Sequence, residues 1–271
     1  MIQQRQKPNL KLLACDLDGT LIGPDDYGIE VAKQTVDSCR KHGIKVTVAT
    51  GRAFGAAEKY VKYLGIDKPV IANGGALIAR VGQTPIYEKT IEKEVAQDIA
   101  LELGRLGYPF YFFVGKHMYT DVNCPETKRY SEILGYPIRT VESLKEIKGR
   151  PTGIVLRVPP EKADYLAAKL HSKWQPKTTV IKSMPHLLEI QALGVSKAKA
   201  LEFLAGSMNI DREEVLTIGD GLNDLDMLMW SGMKAAVGNA HQIVKRNVPY
   251  VSKNRFAEGV LEIVEKFIQV I

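Results

Sequence analysis

The sequence predicts an α/β protein: a parallel-sheet core whose chain is interrupted by an inserted α+β domain. Three observations carry this. Short apolar strands alternate with amphipathic helices over the first eighty residues. Near residue 83 the texture changes to longer, more irregular strands, richer in aromatics and prolines. Near Gln191 the first texture returns. Strand–helix–strand repeats in short units require crossover connections, which makes the sheet parallel. The simplest organisation is a core of residues 1–82 and 188–271 with residues 83–187 inserted.

The elements follow in order. LKLLAC is apolar and reads as a buried strand, broken by Gly19. Ile29, Ala32, Val36 and Cys39 recur at helical spacing, and Gly43 stops that helix. IKVTVA is β-branched and reads as the second strand, AFGAAEKYVKYL as a helix stopped by Gly65, and PVIANGGALI as a strand ending near Asn73-Gly74-Gly75. In the insertion, TPIYEKTI, PFYFFVGKHMYTD, TGIVLRV and TTVIKSMPHLLEIQ read as strands. Between them lie the helices EKEVAQDIALELGRLG and PEKADYLAAKLHSKW. On return, Ser196 is placed to cap a helix through KAKALEFLAG. EEVLTIGD is strand into turn, NDLDMLMWSG a helix, MKAAVGN a strand and GVLEIVEKFIQ the last helix.

Composition narrows the function classes. Of 271 residues, 45% are hydrophobic and 25% charged, as in a water-soluble globular chain. No apolar run reaches the roughly 18 residues a membrane span needs. The opening MIQQRQKPNLK is polar, so no secretion signal is expected. Cys15, Cys39 and Cys124 are scattered without a CxxC pair, which suits a reducing cytoplasm better than a disulfide framework or a zinc site. The net charge of +6 is spread along the chain with no basic run among aromatics, so nucleic acid is not the expected partner. Phe112, Lys116, His117 and Tyr119, on a strand of the insertion, read as ordinary strand residues.

Chemistry-bearing residues collect where core strands end. They are Asp16 and Asp18 in CDLDGTLI, Thr50 with Gly51, Lys197 at a helix start, and Asp220 with Asn223 and Asp224. In an open parallel sheet the carboxyl ends of the strands form the ligand crevice, so these segments can converge. Two aspartates one residue apart repel each other, and a metal cation would offset that; alone, the stretch also fits a simple Asp-Gly turn. Lys197 sits where a helix favours anions by about 0.3–1 kcal/mol. That mismatch makes sense if an anion binds nearby, but a solvated lysine fits too. Asp220 beside Asp16 would give hard oxygen ligands suited to Mg²⁺. Asp226 fits a plain complement to its own helix N-terminus, and Thr50 a turn hydroxyl.

Taken together, DLDGT at 16–20, Thr50 in ATGR, Lys197, and GDGLND at 219–224 resemble, in order, the four motifs of the haloacid dehalogenase superfamily of phosphohydrolases. The resemblance covers essentially the whole chain, and the insertion looks like the αβ cap of the Cof-type (IIB) branch. It implies a Rossmann-like core with a cap domain that sets specificity, and a cytoplasmic Mg²⁺-dependent phosphatase acting on a small-molecule phosphate ester such as a sugar phosphate. It further implies Asp16 as the nucleophile that becomes an aspartyl-phosphate and Asp18 as the acid/base. Thr50, Gly51, Lys197 and Asn223 would bind phosphate, Asp16, Asp18 and Asp220 the metal, and Asp224 would support them. A phosphomutase or phosphotransferase would carry the same motifs, since only the acceptor differs. One departure is Ala198, where the family usually has glycine after the lysine; alanine favours the helix there.

Overall fold

Leu12–Cys15 (β1) is apolar at every position, and all four side chains are buried. Leu12 and Ala14 face one side of it while Leu13 and Cys15 face the other, as alternation along a strand requires. A strand buried on both faces belongs at the centre of a parallel sheet. The computed structural model, which describes residues 9–269, places it there. The opening stretch MIQQRQKP lies outside the described residues.

From β1 the chain passes through α1 (Ile29–Lys41), β2 (Lys45–Val48), α2 (Phe54–Leu64) and β3 (Val70–Ala72), then β4 (Leu77–Ala79) and β5 (Tyr87–Glu88). Next come α3 (Lys93–Leu106), β6 (Phe110–Val114), β7 (His117–Thr120), α4 (Pro125–Leu134), β8 (Ile138–Thr140) and β9 (Gly153–Arg157). They are followed by α5 (Pro160–Trp174), β10 (Thr178–Met184), β11 (Leu187–Ala192) and α6 (Lys197–Ser207). The chain closes with β12 (Val215–Gly219), α7 (Leu225–Trp230), β13 (Met233–Ala236), α8 (Gln242–Arg246) and α9 (Phe256–Gln269).

The parallel sheet has the order β13-β12-β1-β2. A single parallel bridge, Ala49 to Ile71, sets β3 beside β2. Helices cover both faces. Val36 and Cys39 of α1, Val61 and Leu64 of α2, and Val260 and Ile263 of α9 bury one face; Leu201 and Leu204 of α6 and Met227 of α7 bury the other. This is the parallel α/β sheet the strand–helix alternation foretold and the Rossmann-like core the resemblance implied.

A second sheet, β10-β11-β9-β6-β7-β8, is antiparallel except for β7 against β8 and is drawn entirely from residues 110–192. Phe110 and Phe112 point into a core with Leu103, Leu166, Leu170 and Trp174 from α3 and α5. Tyr111 and Phe113 point to the other face, where Ala53 and Ala56 at the start of α2 meet them. That face therefore lies over the parallel sheet's strand ends. Phe112 thus packs internally, as an ordinary strand residue would. A polar bridge also joins the two sheets: Gln191 Nε2 donates to the Asn73 carbonyl at 3.2 Å, and Asn73 Nδ2 to Thr152 Oγ1 at 2.5 Å.

Three stretches read as single strands contain hairpins. In PVIANGGALI the strand ends at Asn73–Gly75 as expected, but the chain turns back there and β4 runs antiparallel to β3. PFYFFVGKHMYTD splits into β6 and β7, and TTVIKSMPHLLEIQ into β10 and β11. The turns are short, residues 73–76, Gly115-Lys116 and Pro185-His186, and each lies between two apolar strands. The short α4, β8 and α8 carry too few apolar residues to declare themselves in the sequence.

At the first of these turns Gly75 has φ +105°, and a Cβ there would lie 2.2 Å from the Ser196 carbonyl oxygen. Ser196 precedes α6, so Gly75 lets the turn abut the end of α6 that carries Lys197. We expect Gly75→Ala to cost about 1–3 kcal/mol through backbone strain and collision, seen as a lowered urea midpoint. Gly104→Ala, on the exposed side of α3 with open space around it, should instead stabilise by about 0.5–1 kcal/mol.

Candidate active site

In the parallel sheet the chain steps from β1 outward to β2 and β3, then returns to the other side of β1 as β12. The order reverses between β1 and β12, and ligands bind at such a point beyond the strands' carboxyl ends. Asp16 directly follows β1, and its N–H donates to the Ile218 carbonyl of β12 at 2.9 Å. Asp220 directly follows β12. The two carboxyl groups are neighbours because their strands are.

Lys197 is the first residue of α6 and only 2% exposed. Its Nζ donates to Asp16 Oδ1 and to Asp224 Oδ1, both at 2.6 Å. Burial alone would lower its pKa, but the charges of Asp16 and Asp224 outweigh that and hold it protonated, well above the usual lysine range. The Asp224 carboxylate is fully buried and fully used. Its Oδ2 accepts the backbone N–H groups of Asp220 at 3.1 Å and Gly221 at 2.9 Å. It therefore ties the lysine to the turn after β12.

Oxygens of Asp16, Asp220 and Asp224 lie within 4.8 Å of one another. Three carboxylates against one lysine leave excess negative charge. Burial first, then the Asp224 charge, pushes the Asp16 carboxyl well above its ordinary value. Burial raises Asp220 to about 6, opposed by the Thr20 hydroxyl, which donates to its Oδ1 at 2.6 Å. An all-oxygen donor set with surplus negative charge fits a hard divalent cation such as Mg²⁺. Both Asp224 oxygens are engaged, so Asp16 and Asp220 supply the free ones.

Asp18 faces Arg52, which reaches both its oxygens: Nε to Oδ2 at 2.7 Å and Nη2 to Oδ1 at 2.5 Å. The guanidinium lies over the Tyr60 ring, 4.9 Å from its centroid. Thr50 is buried at the end of β2, and its Oγ1 accepts the Arg52 N–H at 3.0 Å. Gly51 lies between them, and Asn223 is exposed on the opposite lip. Asp16, Asp18, Thr50, Gly51, Asp220 and Asn223 thus line one crevice of about 460 Å³. Lys197 and Asp224 lie behind Asp16.

The six-stranded sheet roofs this crevice. Its wall is apolar at Phe113, Met118, Tyr130, Val155 and Leu187, with Arg157, Ser183, His186 and Glu189 among them. The Glu189 carboxyl, its pKa raised by burial, lies 3.5 Å from where a Cβ on Gly51 would stand.

Three contributors were not singled out in the sequence. Arg52 lies within ATGR and Thr20 within DLDGT, where nothing local marks either side chain. Glu189 arrives through strand register in the insertion, which no local pattern marks. Asp226 also differs from expectation: besides the adjacent Met227 N–H, it accepts the N–H of Ala198 at 3.2 Å. It thus caps α6, the helix that carries Lys197.

A buried carboxylate–lysine centre at the switch point of a doubly covered parallel sheet defines an α/β enzyme of Rossmann-like architecture. The family model for haloacid dehalogenase-like hydrolases matches residues 13–264, and the chain belongs to that family. Among curated relatives, it is 28% identical over 277 residues to Phosphatase YwpJ of Bacillus subtilis, covering 93% of this chain and 97% of that protein. It is also 28% identical to the Stress response protein YhaX of the same organism, covering 95% and 93%. A crystal structure of a haloacid dehalogenase-like hydrolase from Bacteroides thetaiotaomicron superposes with a TM-score of 0.86 at 26% identity, covering 95% of this chain and 99% of that one.

The buried ion pairs make a structural prediction. Asp224→Ala leaves the Lys197 charge half compensated and two backbone N–H groups without their acceptor. Breaking such a pair should cost about 3–5 kcal/mol, measured by denaturant unfolding at neutral pH. Asp226→Ala, which removes a cap from α6, should cost only about 1 kcal/mol.

Proposed function

We propose that the protein is a phosphatase for small phosphorylated metabolites, sugar phosphates among them, that uses Mg²⁺ and carries the phosphoryl group on Asp16. The observation that carries this reading is the Asp16 carboxylate: buried, paired with Lys197, grouped with Asp220 and open to the crevice. The name of the relative YwpJ supports the phosphatase class. The family also includes chains that pass the phosphoryl group to a second alcohol, but nothing in the crevice favours that acceptor over water.

In this reading Thr50 Oγ1, the Gly51 backbone and Lys197 hold the phosphoryl oxygens, with Asn223 closing the lip. Held so, the phosphorus faces an Asp16 oxygen, and positioning with charge stabilisation supplies most of the catalysis. Asp16 attacks, the phosphorus–ester oxygen bond breaks, and Asp18 gives its proton to the departing alkoxide. Water then attacks the aspartyl-phosphate, Asp18 takes the water's proton, and phosphate leaves with Asp16 restored. Asp16, Asp220 and the Asp18 backbone carbonyl would hold Mg²⁺, which supplies shielding of the negative charges as nucleophile and phosphate approach. Arg52 orients Asp18, and each proton transfer requires one of its two bonds to be given up. The inserted segment, 83–187, with its last strand running on to Ala192, acts as the cap that excludes water and selects the alcohol.

Asp16→Asn should abolish turnover of p-nitrophenyl phosphate while leaving the circular dichroism spectrum unchanged. Asp18→Asn should lower kcat by about 10²–10⁴-fold. Arg52→Lys should lower kcat more than it raises KM, since it loses the bidentate hold. Near-normal turnover by Asp16→Asn in a contaminant-free preparation would refute the nucleophile.

Metal dependence is tested separately. Activity should vanish on exhaustive chelation and return with Mg²⁺. Ca²⁺ should inhibit, because its larger and looser coordination misplaces the attacking carboxylate. Full activity in the chelated enzyme would overturn the assignment.

A further inference from the structure

The cations around the crevice are not equally spoken for. Lys197 is shared by Asp16 and Asp224, and Arg52 is held by both oxygens of Asp18. Arg157, on the roof, has no carboxylate within the 4.0 Å of an ion pair and makes no side-chain hydrogen bond among the described residues. Its guanidinium is nevertheless held in place, stacked on the Tyr130 ring 4.6 Å from the centroid. Glu126, at the start of α4, feels its charge without pairing with it. Burial, then the Arg157 charge, holds neighbouring His186 below the usual imidazole range. Arg157 is half-buried in the crevice lining, so its guanidinium is fixed by stacking yet open to an anion that enters.

Strand register gives its place along the roof. Gln191, opposite Gly153, touches the core at Asn73. Glu189, opposite Val155, comes down on the Gly51 turn. Arg157, opposite Leu187, is the next step outward on the same face. Two residues of strand span about 7 Å. Between the two levels the wall carries Val155 and Leu187, with the uncharged Ser183 of neighbouring β10 beside Leu187 and Leu188.

We propose that Arg157 is the subsite for a second anionic group on the substrate: the phosphate ester hydrolysed here is built on an alcohol that carries a carboxylate or a further phosphate beyond an uncharged body. This narrows the substrate class and rests on the phosphatase reading above. The transferring phosphoryl group takes the Asp16 end of the crevice, the body lies along Tyr130 and Val155, and the second anion meets the Arg157 fork about 7 Å beyond the level of Glu189.

The test uses non-hydrolysable phosphonates, so binding is read apart from turnover. Alkylphosphonates of graded length are titrated by calorimetry into the full chain with Mg²⁺, ending in methyl, in carboxylate or in a second phosphonate. A charged end should tighten binding about tenfold over the methyl end at the matching length. Which charged series gains more identifies the second anion. Arg157→Gln should erase the gain, and Arg157→Lys should keep part of it, since the charge stays while the fork is lost. Equal affinity for charged and methyl ends in the unmodified protein overturns the proposal, as does a gain that survives in Arg157→Gln. Parallel assays with the corresponding phosphate esters keep the two readings apart. Hydrolysis without preference for a second anion would sink the subsite alone. A charge-dependent gain in binding with no ester hydrolysed would sink the phosphatase reading alone.

Discussion

The molecule depends on one lysine held between two buried carboxylates. Lys197 comes from the start of α6, Asp16 from the end of β1 and Asp224 from the turn after β12. A bare ammonium or carboxylate at these depths would cost several kcal/mol. The cost is met only if all three elements arrive together, so folding and assembly of the site are one event. The supports around it serve that convergence: Asp226 caps α6, Gly75 lets the neighbouring turn reach Ser196, and Asp224 holds two N–H groups of the Asp220 turn.

The sequence declared this centre more clearly than it declared the roof. Strand ends of a parallel sheet are marked by abrupt changes from apolar run to Asp, Thr or Gly. Asp16, Thr50 and Asp220 could therefore be picked out as strand-end residues by pattern alone. Lys197 was visible as a charge on the wrong end of a helix, although its burial was not. Arg52 was invisible because its partner lies thirty-four positions away and nothing local distinguishes it from a solvated arginine. Glu189 and Arg157 were hidden for another reason. Each faces the crevice only through the register of β9 and β11, and a slip of one residue would turn both to the other face. Register depends on pairing partners, which a linear reading does not contain. The same limit merged β6 with β7 and β10 with β11, since a turn between two apolar strands resembles a flaw in one.

The two sheets treat charge differently. Below, charges are paired tightly, buried and tied to backbone, giving a field fixed in direction before any ligand enters. Such a field needs no rearrangement as charge develops. Above, polar groups are spaced along an apolar wall and only loosely partnered. Glu189 accepts from Gln191 at a long 3.2 Å. A wall of this kind is selective rather than strongly polarising, because a ligand that fails to satisfy it leaves buried groups unmet.

The six-stranded sheet is made from one unbroken run of chain, residues 110–192, whereas the parallel ladder of β1, β2, β12 and β13 uses none of it. No hydrogen bond of the catalytic ladder therefore depends on the identity of a residue in that run. Descendants of this chain can drift in the roof, gaining or losing side chains along β9 and β11, without unpairing the strands that place Asp16 and Asp220. The constraint tightens where the run touches the core, as at Gln191 and Thr152 on Asn73, and at the exit, where four residues separate Ala192 from Lys197. Inheritance is thus free to revise what enters the crevice while leaving its chemistry in place, and it is least free on the short tether between them.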